Sequence, residues 1–183
     1  MAILKVARMG HPVLRRRARV LEKSEVKSAA VQRLIDDMIE TMHEYHGVGL
    51  AAPQVHESLR LFVAAIDPAP ANGPEDDEQD ERETPPIAII NPEIIVVGAD
   101  VVEDWEGCLS IPDIRGRVPR ARGITVRGMD RKGDRLEIHA QGFPARVIQH
   151  EADHLDGVLF FDRMKTFDSL TFLDEYSRYW IKD

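Results

Sequence analysis

Apolar residues recur at helical spacing in one long segment near the start of the chain. Between Ser28 and Tyr45 they fall at intervals of three and four residues, which places them on one face of a helix. We therefore predict an amphipathic helix whose apolar face packs in the core, and Gly47 is expected to end it. The apolar positions are Val31, Leu34, Ile35, Met38, Ile39 and Met42.

Shorter apolar runs in the rest of the chain predict strands. Runs at 61–66, 87–90 and 94–97 have a strand-like composition, and Asn91 with Pro92 is expected to break the second run from the third. Segments 123–129 and 135–140 are typical of a β-hairpin around residues 130–133.

Two more helices are expected after these strands. Pro144 suits the first position of a helix that runs to about Leu155, whereas residues 11–22 predict only an irregular lead-in. The order predicts an α+β fold, with mostly antiparallel short strands around the helix at 144–155 and with an N-terminal and a C-terminal helix. The C-terminal helix is marked by Leu170, Leu173, Tyr176 and Trp180.

Length and charge narrow the class of protein. The chain has 183 residues, which suits one domain, predicted to span 1–183. Its net charge of −8 argues against nucleic-acid binding and against a membrane surface, since both need a concentrated basic face. No signal peptide and no long apolar run is visible, and a lone cysteine excludes an intramolecular disulfide. A cytoplasmic protein is expected.

Residues 68–86 differ in composition from the rest of the chain. A segment rich in proline and alanine at 68–74 leads into an acidic run at 75–83, followed by Pro85 and Pro86. Such a segment has too little apolar surface to fold by itself. We predict a mobile acidic insertion on the surface, between two strands of the same domain.

The strongest chemical signal is the pair of histidines in the third predicted helix. His150 and His154 are four residues apart, so both imidazoles lie on one helix face and reach one metal ion. Glu151 is then placed to hold the water that the metal activates rather than the metal itself. This division of roles is what metal-assisted hydrolysis needs.

The third metal ligand decides the class of site. A metzincin-type peptidase needs a histidine at position 160, which is Phe160, so that class is excluded. Glu175 would serve a zincin-like endopeptidase, and Cys108 is the other candidate; the bend that Gly107 permits and the neighbouring Glu106 favour Cys108. A structural metal module is a further alternative, but it would gain nothing from a free carboxylate beside the metal.

Three segments of the chain resemble the signature motifs of peptide deformylase, in the same order. They run from Gly47 to Gln54, from Glu106 to Ser110 and from Gln149 to Gly157. The resemblance extends from His11 to about Met164, which is nearly the whole chain.

The resemblance implies a metal centre and a base. Cys108, His150 and His154 would bind one divalent ion, with water as the fourth ligand. Iron(II) is the expected ion, and zinc, nickel or cobalt also suit two imidazoles and a thiolate. Glu151 would accept the proton of the water and later deliver it to the leaving amine. The substrate would be the N-formyl-methionyl end of a nascent polypeptide at the ribosome, and the products would be formate and a free amino terminus.

The resemblance also assigns groups that bind the substrate. The side-chain amide of Gln54 and the backbone N–H of Leu109 would stabilise the oxyanion. The backbone of Gly49 would pair with the substrate chain, where the missing side chain allows a close approach.

The same resemblance implies a methionine pocket with a charged rim. Val48 and Val147 would line the pocket, and Arg115 would stand at the rim of the cleft. Arg146 occupies a position where several family members carry an apolar pocket residue. Glu106 and Arg120 would brace the loop of Cys108; the alternative for them is a surface ion pair that contributes little.

Overall fold

The computed structural model of the chain describes residues 2–67 and 84–181. Most of the predicted insertion, 68–83, lies outside these residues, and 84–86 lead into a strand without regular structure. The described helices are α1 (Lys23–Val26), α2 (Ala29–Glu44), α3 (Gly142–Leu155) and α4 (Leu173–Tyr179). The described strands are β1 (Gly49–Ala51), β2 (Leu61–Ala64), β3 (Ile87–Cys108), β4 (Ile111–Met129), β5 (Arg135–Gln141) and β6 (Thr171–Phe172). Short 3-10 helices occupy Pro12–Arg15, Ala52–Val55 and Phe160–Arg163.

The strands form one antiparallel sheet in the order β1-β2-β3-β4-β5, and β6 pairs with β4 beside this path. The predicted α+β class with antiparallel pairing is therefore confirmed. The expectation of short strands is wrong for the two strands at the centre, because β3 has 22 residues and β4 has 19.

Asn91 explains why β3 continues where a break was predicted. Its backbone has a φ of 52°, and the β3–β4 register shifts between Ile90 and Glu93, so the Asn-Pro pair makes a bulge rather than an end. The Asn91 side chain exchanges two hydrogen bonds with the backbone of Leu21, at 3.0 and 2.8 Å, which hold the bulge in place.

The predicted long helix is present as α2. Ser28 caps its N-terminus by accepting a hydrogen bond from the backbone N–H of Val31. The left-handed residue after its C-terminus is His46, with a φ of 53°, so Gly47 does not supply the stop that was predicted. The buried face of α2 covers one of the apolar clusters of the core, together with β1 and β2.

Helix α3 lies against the sheet and contacts strands β1 to β5. It begins two residues earlier than predicted and ends at the predicted residue, Leu155. One part of its buried surface is apolar and joins the core through Ala145, Val147 and Ile148. The other part consists of buried polar side chains, which carry the chemistry described below.

The C-terminal helix α4 is shorter than the sequence pattern suggested. Trp105 of β3 packs against Tyr176 and Trp180, with ring centroids 4.8 and 5.3 Å apart, so α4 is fixed beside the end of β3. No helix of the described residues is long and apolar enough to cross a membrane. The 3-10 turn at Pro12–Arg15 gives part of the lead-in regular structure where none was predicted.

Candidate active site

Three buried donor atoms meet between the end of β3 and the middle of α3. The ligand atoms of Cys108, His150 and His154 all lie within 4.8 Å of one another, and Cys108 Sγ is 3.2 Å from His154 Nε2. The two imidazoles come from successive turns of one helix face, as their spacing predicts, with ring centroids 5.0 Å apart. Among the described residues, these three form the one cluster of this kind.

The thiol is presented by the tight turn between β3 and β4. Cys108 is the last residue of β3 and pairs with Ile111, the first residue of β4. The preceding residue, Gly107, leaves the space that the guanidinium of Arg115 occupies, because a Cβ there would overlap it. The hairpin tip therefore places the sulfur and the Arg115 side chain side by side.

Glu106 connects the hairpin to the metal-ligand helix. Its Oε2 lies 2.9 Å from His150 Nδ1, so the carboxylate fixes the imidazole and turns Nε2 towards the other donors. Its oxygens also accept hydrogen bonds from Arg120 at 2.9 and 3.0 Å and from Arg146 at 2.8 Å. Burial alone would raise the pKa of Glu106, but the hydrogen bonds from His150 and Arg120 outweigh it and lower the pKa to about 2.

The pairing of Glu106 with Arg120 is therefore an internal contact and not a surface one. The two side chains are 4% and 5% exposed, so the bracing role is the one that the geometry favours. Arg146 is also buried, and it donates to the carbonyl oxygens of Val118 and Val102 at 2.8 Å each. Its charge is thus compensated within the protein.

Asp153 is a further buried carboxylate, and the sequence analysis did not assign it a role. It accepts hydrogen bonds from Arg120 at 2.5 Å and from Arg163 at 2.7 Å. Its position within the histidine motif, one residue before His154, was the available signal. Arg120 bridges Asp153 of α3 to Glu106 of β3, so one arginine ties this helix to this strand.

Glu151 lies buried beside the donor cluster. Its Oε2 has no hydrogen-bond partner within the part of the chain that the structure describes. Burial raises the pKa of Glu151 to about 7; the charge of His150 opposes this shift, and the charge of nearby Glu106 adds to it. A carboxylate with that pKa accepts and returns a proton near neutral pH.

Gly49 lies directly against this carboxylate. A Cβ at Gly49 would come within 2.5 Å of Glu151 Oε1 and within 2.8 Å of its Cδ and Cγ. The sequence analysis explained this glycine by the approach of the substrate backbone. The contact that the structure itself supplies is with Glu151, so the glycine makes room for the carboxylate.

The amide of Gln54 has a fixed orientation at the same site. Its Oε1 accepts a hydrogen bond from the backbone N–H of Ala51 at 2.8 Å, which identifies the oxygen because only an acceptor fits there. Its Nε2 is consequently turned to Ser110 Oγ at 3.2 Å and to Cys108 Sγ at 3.5 Å. The N–H groups of Gln54 thus face the donor cluster.

A cleft of about 540 Å³ opens onto these groups. Of the metal-binding, catalytic and substrate-binding residues that the resemblance implied, all but His154 line it, including Val48, Leu109 and Val147. Phe143 and Trp105 also line it and were not predicted, because nothing in their local pattern separates a cleft residue from a surface one. Glu175, the alternative third ligand, pairs with Arg178 on α4 at 3.3 Å and is not part of the donor cluster.

The residues of the cluster fit a divalent ion. Two imidazoles and one thiolate are ligands that suit first-row transition metals, and the unpartnered Glu151 Oε2 stands beside them. A structural site closes its coordination with a fourth protein ligand, whereas three ligands next to a free carboxylate are typical of a hydrolytic metal site. The fold and the site are thus those of a metal-dependent amide hydrolase.

Comparison with known proteins agrees with that class. The family described as polypeptide deformylase matches residues 3–169. The chain is 44% identical to peptide deformylase 2 of Nostoc sp., over 90% of this chain and 87% of that protein. It is 45% identical to the peptide deformylase of Salinibacter ruber, over 90% of this chain and 82% of that protein.

Solved structures give the same result. A class I type b peptide deformylase from Acinetobacter baumannii, solved with Met-Ala-Ser bound, superposes with a TM-score of 0.77 at 39% identity, over 89% of this chain and 100% of that one. The peptide deformylase of Thermotoga maritima gives a TM-score of 0.76 at 39% identity, over 91% and 100%. The chain belongs to the peptide deformylase family. Enzymes of this family remove the N-formyl group from newly made polypeptides, and that is the activity of this chain.

Proposed function

We propose that Cys108, His150 and His154 bind one divalent metal ion and that Glu151 is the general base of the deformylation. The observation that carries this proposal is the meeting of three donor atoms within 4.8 Å, with the unpartnered Glu151 Oε2 beside them. When bound, the metal lowers the pKa of water to about 7 and polarises the formyl carbonyl. Iron(II) is proposed as the native ion, and zinc, nickel or cobalt as ions that the same ligands accept.

Side-chain and backbone groups of this protein carry out the remaining steps. Glu151 accepts a proton from the attacking water and then delivers it to the nitrogen that leaves as the free amino terminus. The Gln54 amide N–H and the Leu109 backbone N–H donate to the oxygen that gains negative charge on the formyl carbon. Preorganised donors of this kind contribute about 3 kcal/mol each, because they need no reorientation as the charge develops.

The cleft accounts for the methionine of the substrate. Val48 and Val147 line it, and Phe143 adds an aromatic wall, so an unbranched thioether side chain has apolar surroundings. The related enzyme solved with Met-Ala-Ser bound supports a peptide that begins with methionine as the ligand. We assign the Gly49 backbone to pairing with the substrate chain, and Arg115 to the residues beyond methionine.

The place of action follows from the substrate. Formylated chains are made at the ribosome, so we propose that the enzyme acts on nascent polypeptides there, in the cytoplasm. We also propose that the whole chain is a single catalytic domain, with the acidic segment within 68–86 as an insertion that leaves the site residues untouched. The family match from residue 3 to residue 169 supports that view.

The test is the release of formate from a formyl-methionyl peptide by protein purified without oxygen. The Glu151→Gln variant is expected to keep the metal and to lose activity by about 10²- to 10⁴-fold, the usual contribution of a general acid–base group. Glu175→Ala serves as the control, since the alternative endopeptidase needs that residue as a ligand. Loss of the metal from Glu175→Ala, or full activity in Glu151→Gln, would contradict the proposal.

The nature of the ion is tested separately. Metal analysis of protein purified without oxygen is expected to give about one iron per chain, and activity is expected to fall rapidly in air. Full activity after days of aerobic storage would argue for a different ion, because a ferrous ion and its thiolate ligand are both oxidisable.

A further inference from the structure

Part of the long β3–β4 pair extends beyond the rest of the sheet. Strand β2 pairs with β3 only as far as Ile90, and β5 pairs with β4 only as far as Gly123. Residues 101–121, which we call the β3–β4 arm, pair with each other across the two strands. Within the described part of the chain, the one further strand beside the arm is the two-residue β6. The tip of the arm carries Cys108 and the backbone N–H of Leu109.

The arm needs support from other parts of the fold, because a two-stranded ribbon is only marginally stable by itself. One support is apolar: Cys108, Ile111 and Val118 belong to a buried cluster that also includes Leu14 and Phe160. As the described residues define it, this cluster contains no residue of α3. The attachment of the arm to the helix that carries the two histidines is therefore mainly polar.

One face of α3 carries the polar side chains that make this attachment. Arg146, Gln149, His150 and Asp153 follow one another at spacings of three and four residues, so they lie on the same side of the helix. All four form hydrogen bonds with the arm. His150 and Asp153 contact charged side chains of the arm, whereas Arg146 and Gln149 reach its backbone.

The amide of Gln149 takes the place of a neighbouring strand at the base of the arm. The N–H of Ala121 donates to Gln149 Oε1 at 3.1 Å, and Gln149 Nε2 donates to the carbonyl of Ala121 at 2.9 Å. A residue of an adjacent antiparallel strand would form the same two hydrogen bonds. Ala121 is two residues from Gly123, where the pairing with β5 ends, so Gln149 continues the ladder by one position.

Arg146 joins both strands of the arm to α3. Its Nη1 donates to the carbonyl of Val118 on β4 and its Nη2 to the carbonyl of Val102 on β3, each at 2.8 Å. Nη1 also donates to Glu106 Oε1 at 2.8 Å. The side chain is buried, and the planar guanidinium presents its donors in a fixed fork. One side chain therefore holds the two strands in a defined position against the helix.

From these contacts we infer that Arg146 and Gln149 are positioning residues for the reaction. They hold the β3–β4 arm against α3, and they thereby set the distance between the Cys108 thiol and the two imidazoles. The Leu109 N–H lies on the same tip, so the position of this oxyanion donor depends on the same attachment. The inference rests on the proposed function, since Cys108 is taken as a metal ligand.

The first test follows the thiol itself in the full chain after its metal has been removed. Cys108 is the single cysteine and is 8% exposed, so the rate of its reaction with a chromogenic disulfide reagent reports opening at the tip of the arm. In Gln149→Leu, which changes no charge, we expect the reaction to be about 10-fold faster, as when an opening equilibrium loses two hydrogen bonds. Arg146→Met is expected to give a similar increase.

Gln32→Leu is the matched control for Gln149→Leu. The Gln32 amide also donates to two backbone carbonyls, those of Val26 and Arg131, at 2.8 and 2.7 Å, but neither belongs to the arm. We expect both variants to lower the melting temperature, because each loses hydrogen bonds to the backbone. Only Gln149→Leu is expected to change the rate of the thiol reaction, which a merely structural role would leave unchanged.

The second test uses the chain with zinc bound. Competition with a chromogenic chelator is expected to show about 10-fold weaker binding of zinc in Gln149→Leu and in Arg146→Met, since the support of a ligand is disturbed. For formyl-Met-Ala-Ser, we expect kcat to fall about 10-fold and KM to change little, because the peptide still binds in the cleft.

The outcomes separate this inference from the proposed function. A thiol rate that stays unchanged in both arm variants, or that rises equally in Gln32→Leu, would overturn the inference and leave the proposed metal ligands and base untouched. A parent chain that binds no divalent ion would contradict the proposed function, while the thiol rates would still test the attachment of the arm.

Discussion

Replacing Gly49 by alanine tests the contact between β1 and the catalytic carboxylate. Carbon atoms in contact normally stay 3.5–4.0 Å apart, but the new Cβ would lie 2.8 Å from Cγ and Cδ of Glu151. The Glu151 side chain therefore has to move by about 1 Å. A displacement of about 1 Å at a reacting group costs about 100-fold in rate.

The kinetic parameters distinguish this explanation from the other role proposed for Gly49. If the methyl group displaces Glu151, kcat falls about 100-fold while KM changes little, because the peptide still binds. If the methyl group instead blocks pairing with the substrate backbone, KM rises and kcat changes less. We expect the first pattern, measured as formate release over a range of formyl-Met-Ala-Ser concentrations.

Two controls accompany the Gly49→Ala variant. Gly123→Ala also adds a methyl group to a strand, but its nearest neighbour, the carbonyl oxygen of Val97, would lie at an ordinary 3.5 Å. Combining Gly49→Ala with Glu151→Asp removes one methylene from the crowded side chain, so the two losses are expected to be less than additive. A kcat within threefold of the parent, at full metal occupancy and unchanged melting temperature, would refute the reasoning.

Three further predictions concern the metal centre and its supports. Glu106→Gln is expected to weaken metal binding about 10- to 100-fold, because the hydrogen bond that orients His150 is altered; competition with a chromogenic chelator measures it. Removal of the metal is expected to lower the free energy of unfolding by about 2.7 kcal/mol, compared with protein at a free metal concentration of 100 times Kd. Calorimetry with and without metal measures this effect, and the Cys108→Ala variant should show no difference between the two conditions. Asp162→Asn is expected to lower stability at pH 7 by at most about 1 kcal/mol, since the Asp162–Arg15 pair is partly exposed. Although partial burial opposes it, the hydrogen bond from Arg15 lowers the pKa of Asp162. The stability from this pair is therefore present above the unfolded pKa of Asp162 and lost as pH falls through the lower folded pKa. Urea unfolding at pH 7 and pH 3 should show the difference between the parent and Asp162→Asn shrink at the lower pH.

The elements that the sequence predicted well are those whose signals are local. Helix α2 has its capping serine and its apolar stripe within one segment, and the β4–β5 hairpin surrounds its own turn. The continuity of β3 was not predictable in this way. Its bulge at Asn91 is held by the backbone of Leu21, 70 residues away, and no local pattern reports such a contact.

The residues of the candidate site also differ in whether a local sequence signal predicts them. His150 and His154 were predicted from their spacing, and Cys108 was favoured from its turn and then supported by the family resemblance. The pairing of Glu106 with Arg120 was predicted from the family resemblance, but its contacts with Arg146 and His150 were not, because these partners lie 40 and 44 residues away on α3 and no local pattern reports them. The sequence likewise suggested a substrate contact at Gly49, whereas the neighbour that excludes a side chain there is Glu151.

The position of the thiol at a hairpin tip has a consequence for the whole chain. Cys108 and His154 are 46 residues apart in sequence, and their ligand atoms lie 3.2 Å apart. In our proposal one ion binds both residues, and their ligand atoms meet only in the folded chain. Because such an ion dissociates on unfolding, it would stabilise the folded state by mass action, to a degree set by the free metal concentration, and not by restricting the unfolded chain. The proposed catalytic ion would thus link two distant segments reversibly, which a chain with a single cysteine cannot do with a disulfide.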